Sequence, residues 1–170
     1  MTTNVQIRLE LPDDEFAVRE TNEHAFGTPV EATLVNRLRG LPESISLVAT
    51  ADDRIVGHIL FTPISVEPPA RVRIAGLAPM AVRPENQRSG IGSQLVRAGL
   101  DHCRRHGYAA VVVVGHPEFY PRFGFLRAST KGLTCEFPVR DEAFMAVELN
   151  AGGLADVRGL VRYRPEFSEE

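Results

Sequence analysis

The stretch that most constrains this chain is Leu77 to Gly107, LAPMAVRPENQRSGIGSQLVRAGLDHCRRHG. Its apolar run, Leu77 to Val82, stops at Arg83-Pro84, and proline biases its predecessor toward extended backbone. A polar turn, Glu85 to Gln87, leads through Arg88-Ser89-Gly90-Ile91-Gly92 into an amphipathic segment that ends at Gly107. The pattern predicts strand, glycine-containing loop and helix. The helix spans about Gly90 to His106, with Ile91, Leu95, Val96, Leu100 and Cys103 on one face. At such a junction backbone N–H groups converge at the positive end of a helix dipole, with no side chain at Gly90 or Gly92. That arrangement suits a phosphate or diphosphate. A P-loop needs Lys-Ser/Thr directly after its last glycine, whereas Ser93-Gln94 follows Gly92. A Rossmann fingerprint needs a third glycine and an acidic residue about 20 positions on. Neither is present.

The spacing Gln87-x-x-Gly90-x-Gly92 resembles the acyl-CoA loop of the GCN5-related N-acetyltransferase (GNAT) family. A second segment, Gly115-His116-Pro117-Glu118-Phe119-Tyr120-Pro121-Arg122-Phe123-Gly124-Phe125, resembles that family's later cofactor segment, with an aromatic hydroxyl four residues before Gly-Phe. Its HPEFYPRFGF wording is similar to the YhbS-like sub-group. The resemblance covers Leu77 to Phe125. It implies an α+β fold: a twisted, mixed and mostly antiparallel sheet of six to eight strands, about four flanking helices, and a parallel, splayed strand pair at the cofactor site.

It implies a function too, the transfer of an acetyl group from acetyl-CoA to a primary amine by direct attack in a ternary complex. The N–H groups of Arg88, Ser89, Gly90, Ile91, Gly92 and Ser93 would hold the CoA diphosphate, with Gln87 and Arg88 lining the approach. Exposed backbone of Met80, Ala81 and Val82 would pair with pantetheine amides, as a strand pairs with an added strand. Tyr120 would protonate the departing thiolate, a phenol being of roughly suitable acidity. Each feature also has an ordinary reading: a strand-to-helix turn, a buried strand, and a tyrosine packed among Phe119, Phe123 and Phe125.

Two departures stand out. Many relatives carry a glutamate base that, aligned from Gly90 and Gly92, falls near Gly76, which has no side chain. The base candidates left are His116, Glu31 and Glu23, and helix glutamates are ordinarily solvated charges. Many relatives also have an asparagine and a longer helix between positions equivalent to Val114 and Tyr120, where this chain has the short GHPEF. A non-catalytic CoA-binding regulatory module is therefore the alternative reading. An enzyme using NAD(P) or ATP at the loop is a third.

The remaining sequence fits one domain, 1–170. Hydrophobic residues make up 44% and charged residues 24%, the composition of a globular chain. A net charge of −3 with scattered signs argues against a nucleic-acid surface. No apolar run approaches the roughly 20 residues of a membrane span. The N-terminus lacks the basic start and apolar core of a signal peptide, so a cytoplasmic location is expected. Cys103 and Cys135 have no metal-type spacing, no metal is expected, and in the cytoplasm both stay reduced.

Along the chain, Val5–Leu11 alternates as a half-exposed strand. Helices are expected from Pro12 to about Phe26 and from Pro29 to Arg39, with Thr28 as N-cap and Gly40 as stop. By resemblance these two helices belong to the amine-binding side. Strands Ser46–Ala51 and Arg54–Val66 flank an Asp52-Asp53 turn, with an edge or bulge at Pro63. Strand Ile74–Val82 is expected to bulge at Pro79. His58 belongs to a strand face. Ala109–Val114, wholly apolar, is a buried parallel strand, reached by a right-handed crossover. Leu133–Val139 and Phe144–Leu149 are expected to form a closing hairpin across Arg140-Asp141-Glu142. Val157–Tyr163 adds a strand or flap, and the resemblance admits a homodimer through these last strands.

Overall fold

The computed structural model describes residues 4–168, so the extreme ends of the 1–170 domain lie outside the described residues. The chain divides into two compact units. The first runs up to Phe61 and adds Ala78–Gly99; the second is Thr62–Leu77 with the chain from Leu100 onward.

In the first unit, strand β1 (Val5–Leu9) pairs antiparallel with β2 (Ile45–Ala51), and β2 with the first part of β3 (Arg54–Glu67). The β2–β3 turn places Asp52 and Asp53 at φ +53° and +64°, the left-handed pair of a tight hairpin. Helix α1 (Glu15–Phe26) follows a 3₁₀ turn at Pro12–Asp14. It ends where Gly27, at φ +75°, returns its N–H to Glu23 O, a left-handed stop that glycine adopts without strain. Helix α2 (Val30–Leu38) has Pro29 rather than Thr28 at its N-cap, while the Thr28 hydroxyl takes the Val30 N–H at 3.4 Å. Strand β4 (Arg73–Val82) delivers the chain to helix α3 (Ile91–Arg105). A Cβ on Gly99 of α3 would run into the Phe61 ring, so glycine is what lets this helix approach β3 closely.

In the second unit, the β4 segment Arg73–Leu77 pairs in parallel with β5 (Tyr108–Val114), ending at Leu77↔Val113. Most of β5 is fully buried, as the unbroken apolar run predicts. β5 pairs on its other side with β8 (Phe144–Glu148), and β8 with the short β6 (Leu126–Arg127). The sheet order is β1-β2-β3-β4-β5-β8-β6.

The expected closing hairpin does not form. β7 is only Leu133–Cys135 and pairs in parallel with β9 (Gly159–Arg162), and β9 runs antiparallel to Ser65–Glu67 of β3. Pro138 interrupts the segment between β7 and β8 and has no N–H to continue a ladder. Pro63 lies between the stretch of β3 paired with β2 and the stretch paired with β9. The β4/β5 register shift falls between Arg73 and Ile74, not at Pro79. Pro79 lies beyond the end of that ladder and carries a cis bond to Ala78.

The sheet has nine strands and the described residues hold three α-helices, against the expected six to eight and about four. The surplus comes from the short β7 and β9. The helix shortfall lies after β5, where Pro117 and Pro121 leave only the 3₁₀ turn Tyr120–Phe123. Ile74, Val112, Phe144, Ala146, Leu133, Val161 and Tyr163 form the core of this unit. Each large apolar side chain buried there contributes about 1.5–3 kcal/mol.

Candidate active site

In the first unit, Met80, Ala81 and Val82 lie at the end of β4, past the last β5-paired residue. Ala81 is buried, and Met80 and Val82 are half-buried. A 3₁₀ turn at Pro84–Asn86 follows. Gln87, Arg88, Ser89 and Gly90 are exposed. Arg88 and Gly90 both take the left-handed conformation, at φ +63° and +86°. Such a conformation is uncommon for a side-chain-bearing residue and turns successive N–H groups toward one side.

The first backbone bond of α3 is Gln94 N–H to Gly90 O at 3.1 Å. The N–H groups of Ile91, Gly92 and Ser93 precede it and have no acceptor within the helix. A Cβ on Gly90 would meet nothing within 4 Å, so the loop is open on that side. The Gln87 side chain does more than line an approach: its Nε2 donates to Val82 O at 3.0 Å. The Ser89 hydroxyl closes the same loop onto Asn86 O.

Sequence reasoning missed Arg83. It is 2% exposed, although arginine is rarely buried without partners. Its Nε donates to Ile55 O at 3.0 Å, Nη1 to His24 Nδ1 at 3.0 Å, and Nη2 to Glu20 Oε1 at 3.3 Å. Its backbone N–H adds a bond to Val56 O at 2.8 Å. A guanidinium only donates, so His24 accepts through an unprotonated Nδ1. Arg83 thus ties the residue before the loop to β3 and to α1. Its position directly before Pro84 was visible in the sequence; its burial was not.

In the second unit, Gly115 N–H bonds Ala143 O at 2.9 Å, and the N–H groups of Phe119 and Tyr120 turn back onto His116 O at 3.1 and 3.4 Å. The Tyr120 ring packs edge-on against Phe119 and Phe125, with centroids 5.0 and 5.5 Å away. It is 6% exposed. Burial pushes its pKa up to about 12, because low-dielectric surroundings disfavour the phenolate. A Cβ on Gly115 would overlap Tyr120 Cε2, so this glycine makes room for the ring. His116 is exposed.

The other base candidates are committed elsewhere. Glu23 pairs with Arg19 at 2.8 Å, and Glu31 accepts from the Thr28 hydroxyl at 3.2 Å. His58 is fully buried, between Asn22 Nδ2 at 3.2 Å and Ser46 Oγ at 2.9 Å. Desolvation, then the Arg39 charge, lower its pKa to about 3. The amide donates to Nδ1, so Nε2–H donates to Ser46, whose hydroxyl passes on to Glu10 at 2.6 Å. This is a structural relay on a strand face. Cys103 and Cys135 are free thiols, and burial pushes Cys103 up to about 12, which makes it a poor nucleophile. Among the described residues no group of three or more His, Cys, Asp or Glu could hold a metal ion. No helix among them is long and apolar enough to cross a membrane.

A mostly antiparallel sheet with the parallel pair β4/β5, in which β4 opens through a glycine loop into a helix, defines an acyltransferase fold of the GNAT kind. The family described as "Acetyltransferase (GNAT) domain" matches residues 6–128, and the chain belongs to that family. It is 37% identical over 165 residues to the uncharacterized N-acetyltransferase YhbS of Escherichia coli, covering 95% of this chain and 98% of YhbS. The solved structure of E. coli YhbS in complex with CoA superimposes with a TM-score of 0.92, at 35% identity over 99% of this chain and 94% of that one. A GNAT family acetyltransferase from Brucella melitensis in complex with acetyl-CoA gives 0.79, at 29% identity over 98% and 99%.

Proposed function

We propose that residues 1–170 act as one acyltransferase domain that moves the acetyl group of acetyl-CoA to a primary amine by direct attack in a ternary complex. The observation that carries this reading is the loop: two left-handed residues, Arg88 and Gly90, followed by N–H groups ahead of the first bond of α3. An anion held there meets both the helix dipole and convergent donors. The likeness to YhbS solved with CoA and to the Brucella enzyme solved with acetyl-CoA supports reading that anion as the coenzyme's diphosphate. Arg88 to Ser93 would grip it, and Met80 to Val82 would run alongside the pantetheine. The Val82 carbonyl already accepts from Gln87, which leaves Met80 and Ala81 the larger share of that pairing.

Attack forms the C–N bond and leaves a tetrahedral oxyanion, whose collapse breaks the C–S bond. Tyr120 serves the departing sulfur. With a pKa near 12 the phenol keeps its proton across the working range, and full transfer to a thiolate of pKa about 8.5 is uphill. Its contribution is a hydrogen bond that strengthens as charge gathers on sulfur. The nitrogen's proton leaves to solvent, with His116, exposed in the same turn as Tyr120, as the candidate base. The cytoplasm, which keeps thiols reduced, suits the free Cys103 and Cys135.

Thiol release from acetyl-CoA with a panel of amines, alongside calorimetry with CoA, tests the reading. Turnover with CoA affinity supports it. Affinity without turnover supports a non-catalytic CoA-binding module, the reading that the bare Gly76 position favours.

A further inference from the structure

The second unit holds a cavity of about 440 Å³ that acetyl transfer leaves unused. Three pieces of chain wall it. Lys131 ends the 3₁₀ turn Ala128–Lys131, Glu148 ends β8, and the segment from Leu154 to Arg158 leads into β9. Backbone bonds pin these walls. Gly132, left-handed at φ +76°, accepts the Gly159 N–H on its carbonyl at 2.9 Å, and Val157 N–H bonds Leu154 O at 3.1 Å. A Cβ on Gly132 would stand 3.1 Å from Arg158 Cβ, so two of the walls are in close contact. Leu154 and Val157 are buried, which fixes the segment that presents Arg158. The volume falls within the roughly 300–1,000 Å³ of small-molecule pockets.

The charges of the lining do not cancel. Glu148 is its one carboxylate, and both oxygens are engaged. Oε1 accepts from Lys131 Nζ at 3.1 Å and Oε2 from Leu154 N–H at 2.8 Å. The Leu154 bond first, and then Lys131, hold this carboxyl below its ordinary range, so it stays charged and keeps Lys131 in place. Arg158 is exposed and has neither a hydrogen bond nor an ion pair among the described residues. One carboxylate therefore faces two cations. A guanidinium carries five N–H donors and an ammonium three, and the bond from Lys131 to Glu148 occupies only one of them. The Thr130 hydroxyl donates to Arg127 O and supplies no further donor. The rest of the lining is largely aliphatic, with Leu154, Ala155 and Val157.

We propose that this cavity binds a short aliphatic carboxylate, its head forked on the Arg158 guanidinium beside Lys131 and its body against Leu154, Ala155 and Val157. A guanidinium meets two carboxylate oxygens with two parallel N–H bonds, a geometry that a point-like ammonium does not offer. The Lys131 charge adds attraction while Glu148 holds it in position. The site belongs to the unit that does not contain the Arg88–Ser93 loop, and its occupancy is independent of the acetyl-transfer reading.

Isovalerate, ionised at pH 7, is titrated into the ¹⁵N-labelled full chain and followed by NMR. The backbone N–H signals of Gly132 and Leu154 and the side-chain N–H of Arg158 report on the cavity. Signals from Gly90 to Ser93 report separately on any anion at the loop. Saturable shifts in the cavity set are expected, with a Kd on the order of 1 mM for so small a ligand. Arg158→Gln is expected to weaken binding about tenfold or more, the loss of a charged hydrogen-bonded contact. Its Tm stays unchanged, because the Arg158 side chain is exposed and unpartnered. Inorganic phosphate, a head without a body, and 3-methylbutan-1-ol, a body without a charge, are each expected to bind about tenfold more weakly than isovalerate. The proposal is overturned if the cavity signals show no saturable shift, or if Arg158→Gln binds isovalerate as the wild type does. Either control binding as tightly as isovalerate also overturns it.

Discussion

Tyr120 occupies the space that a side chain on Gly115 would need. Any Cβ there overlaps the ring at Cε2, although Gly115 itself carries no unusual backbone angle. The glycine is required for packing and not for conformation. Gly115→Ala is therefore expected to push the ring off its seat between Phe119 and Phe125. We predict a fall in kcat of more than tenfold, with acetyl-CoA affinity within about twofold, since the diphosphate loop is untouched. Steady-state kinetics with calorimetry decides it, and an unchanged kcat removes Tyr120 from the reaction.

Tyr120→Phe isolates the hydroxyl from the ring. The hydroxyl's hydrogen bond to a developing thiolate is worth about 1.5–3 kcal/mol, so kcat is expected to drop more than tenfold while the acetyl-CoA Kd stays put. Because burial raises this phenol to about 12, the wild type should show no loss of activity from its ionisation below about pH 11. A basic limb near pH 10 that vanishes in Tyr120→Phe would contradict the assignment.

Gly90→Ala tests the loop. The position sits at φ +86° with open space around a new Cβ, so the substitution is purely conformational and costs about 1–2 kcal/mol. If the chain relaxes out of the left-handed region, the donors ahead of Gln94 lose their common direction. The Kd for CoA should rise roughly tenfold, with a Tm shift of only a few degrees. Wild-type affinity in a folded Gly90→Ala protein would move the diphosphate elsewhere.

Arg83 bears on the same loop from underneath. Arg83→Met keeps the bulk and removes all three side-chain bonds, leaving Ile55 O, His24 and Glu20 to find other partners. A stability loss of about 3 kcal/mol follows from breaking a buried charged network. Because Arg83 precedes the loop, acetyl-CoA KM should rise severalfold more than kcat falls. Urea melts and kinetics on the same preparation separate the two. Equal effects on both constants would make Arg83 a matter of stability alone.

The sequence carried most of the strand and helix pattern because those elements declare themselves locally. Val5–Leu9 alternates, Asp52-Asp53 turns, and Ala110–Val113 is apolar throughout and buried on both faces. The loop was legible for the same reason, since Arg88 to Gly92 is a local geometry. Pairing was less legible. Nothing in Leu133–Val139 tells that only Leu133–Cys135 forms a strand, or that its partner is β9 in parallel and not β8. Partner choice depends on distant chain. Arg83 was missed likewise: it reads as a surface charge until Ile55 and His24 are placed against it.

His58 supplies a pH dependence of stability whose sign can be worked out. Its folded pKa is lowered to about 3, chiefly by desolvation and then by Arg39. The unfolded chain takes up the proton near the ordinary histidine value of about 6.5. Between those values the unfolded state binds more protons, so stability falls as pH drops through about 6.5 and continues to fall toward 3, by up to about 1.4 kcal/mol per pH unit. The groups nearest the ring are Ser46, Asn22, and Glu10 held by Arg39. Glu10 Oε1 lies 4.0 Å from Nε2, and its attraction for an imidazolium opposes the desolvation and trims the slope. Asp14, held below its ordinary value by Arg8, adds its own loss only below about pH 4. Urea midpoints from pH 7 to 4.5 should therefore decline in the wild type, and His58→Gln should flatten that decline whatever its absolute stability. An identical slope in His58→Gln would place the titrating group elsewhere.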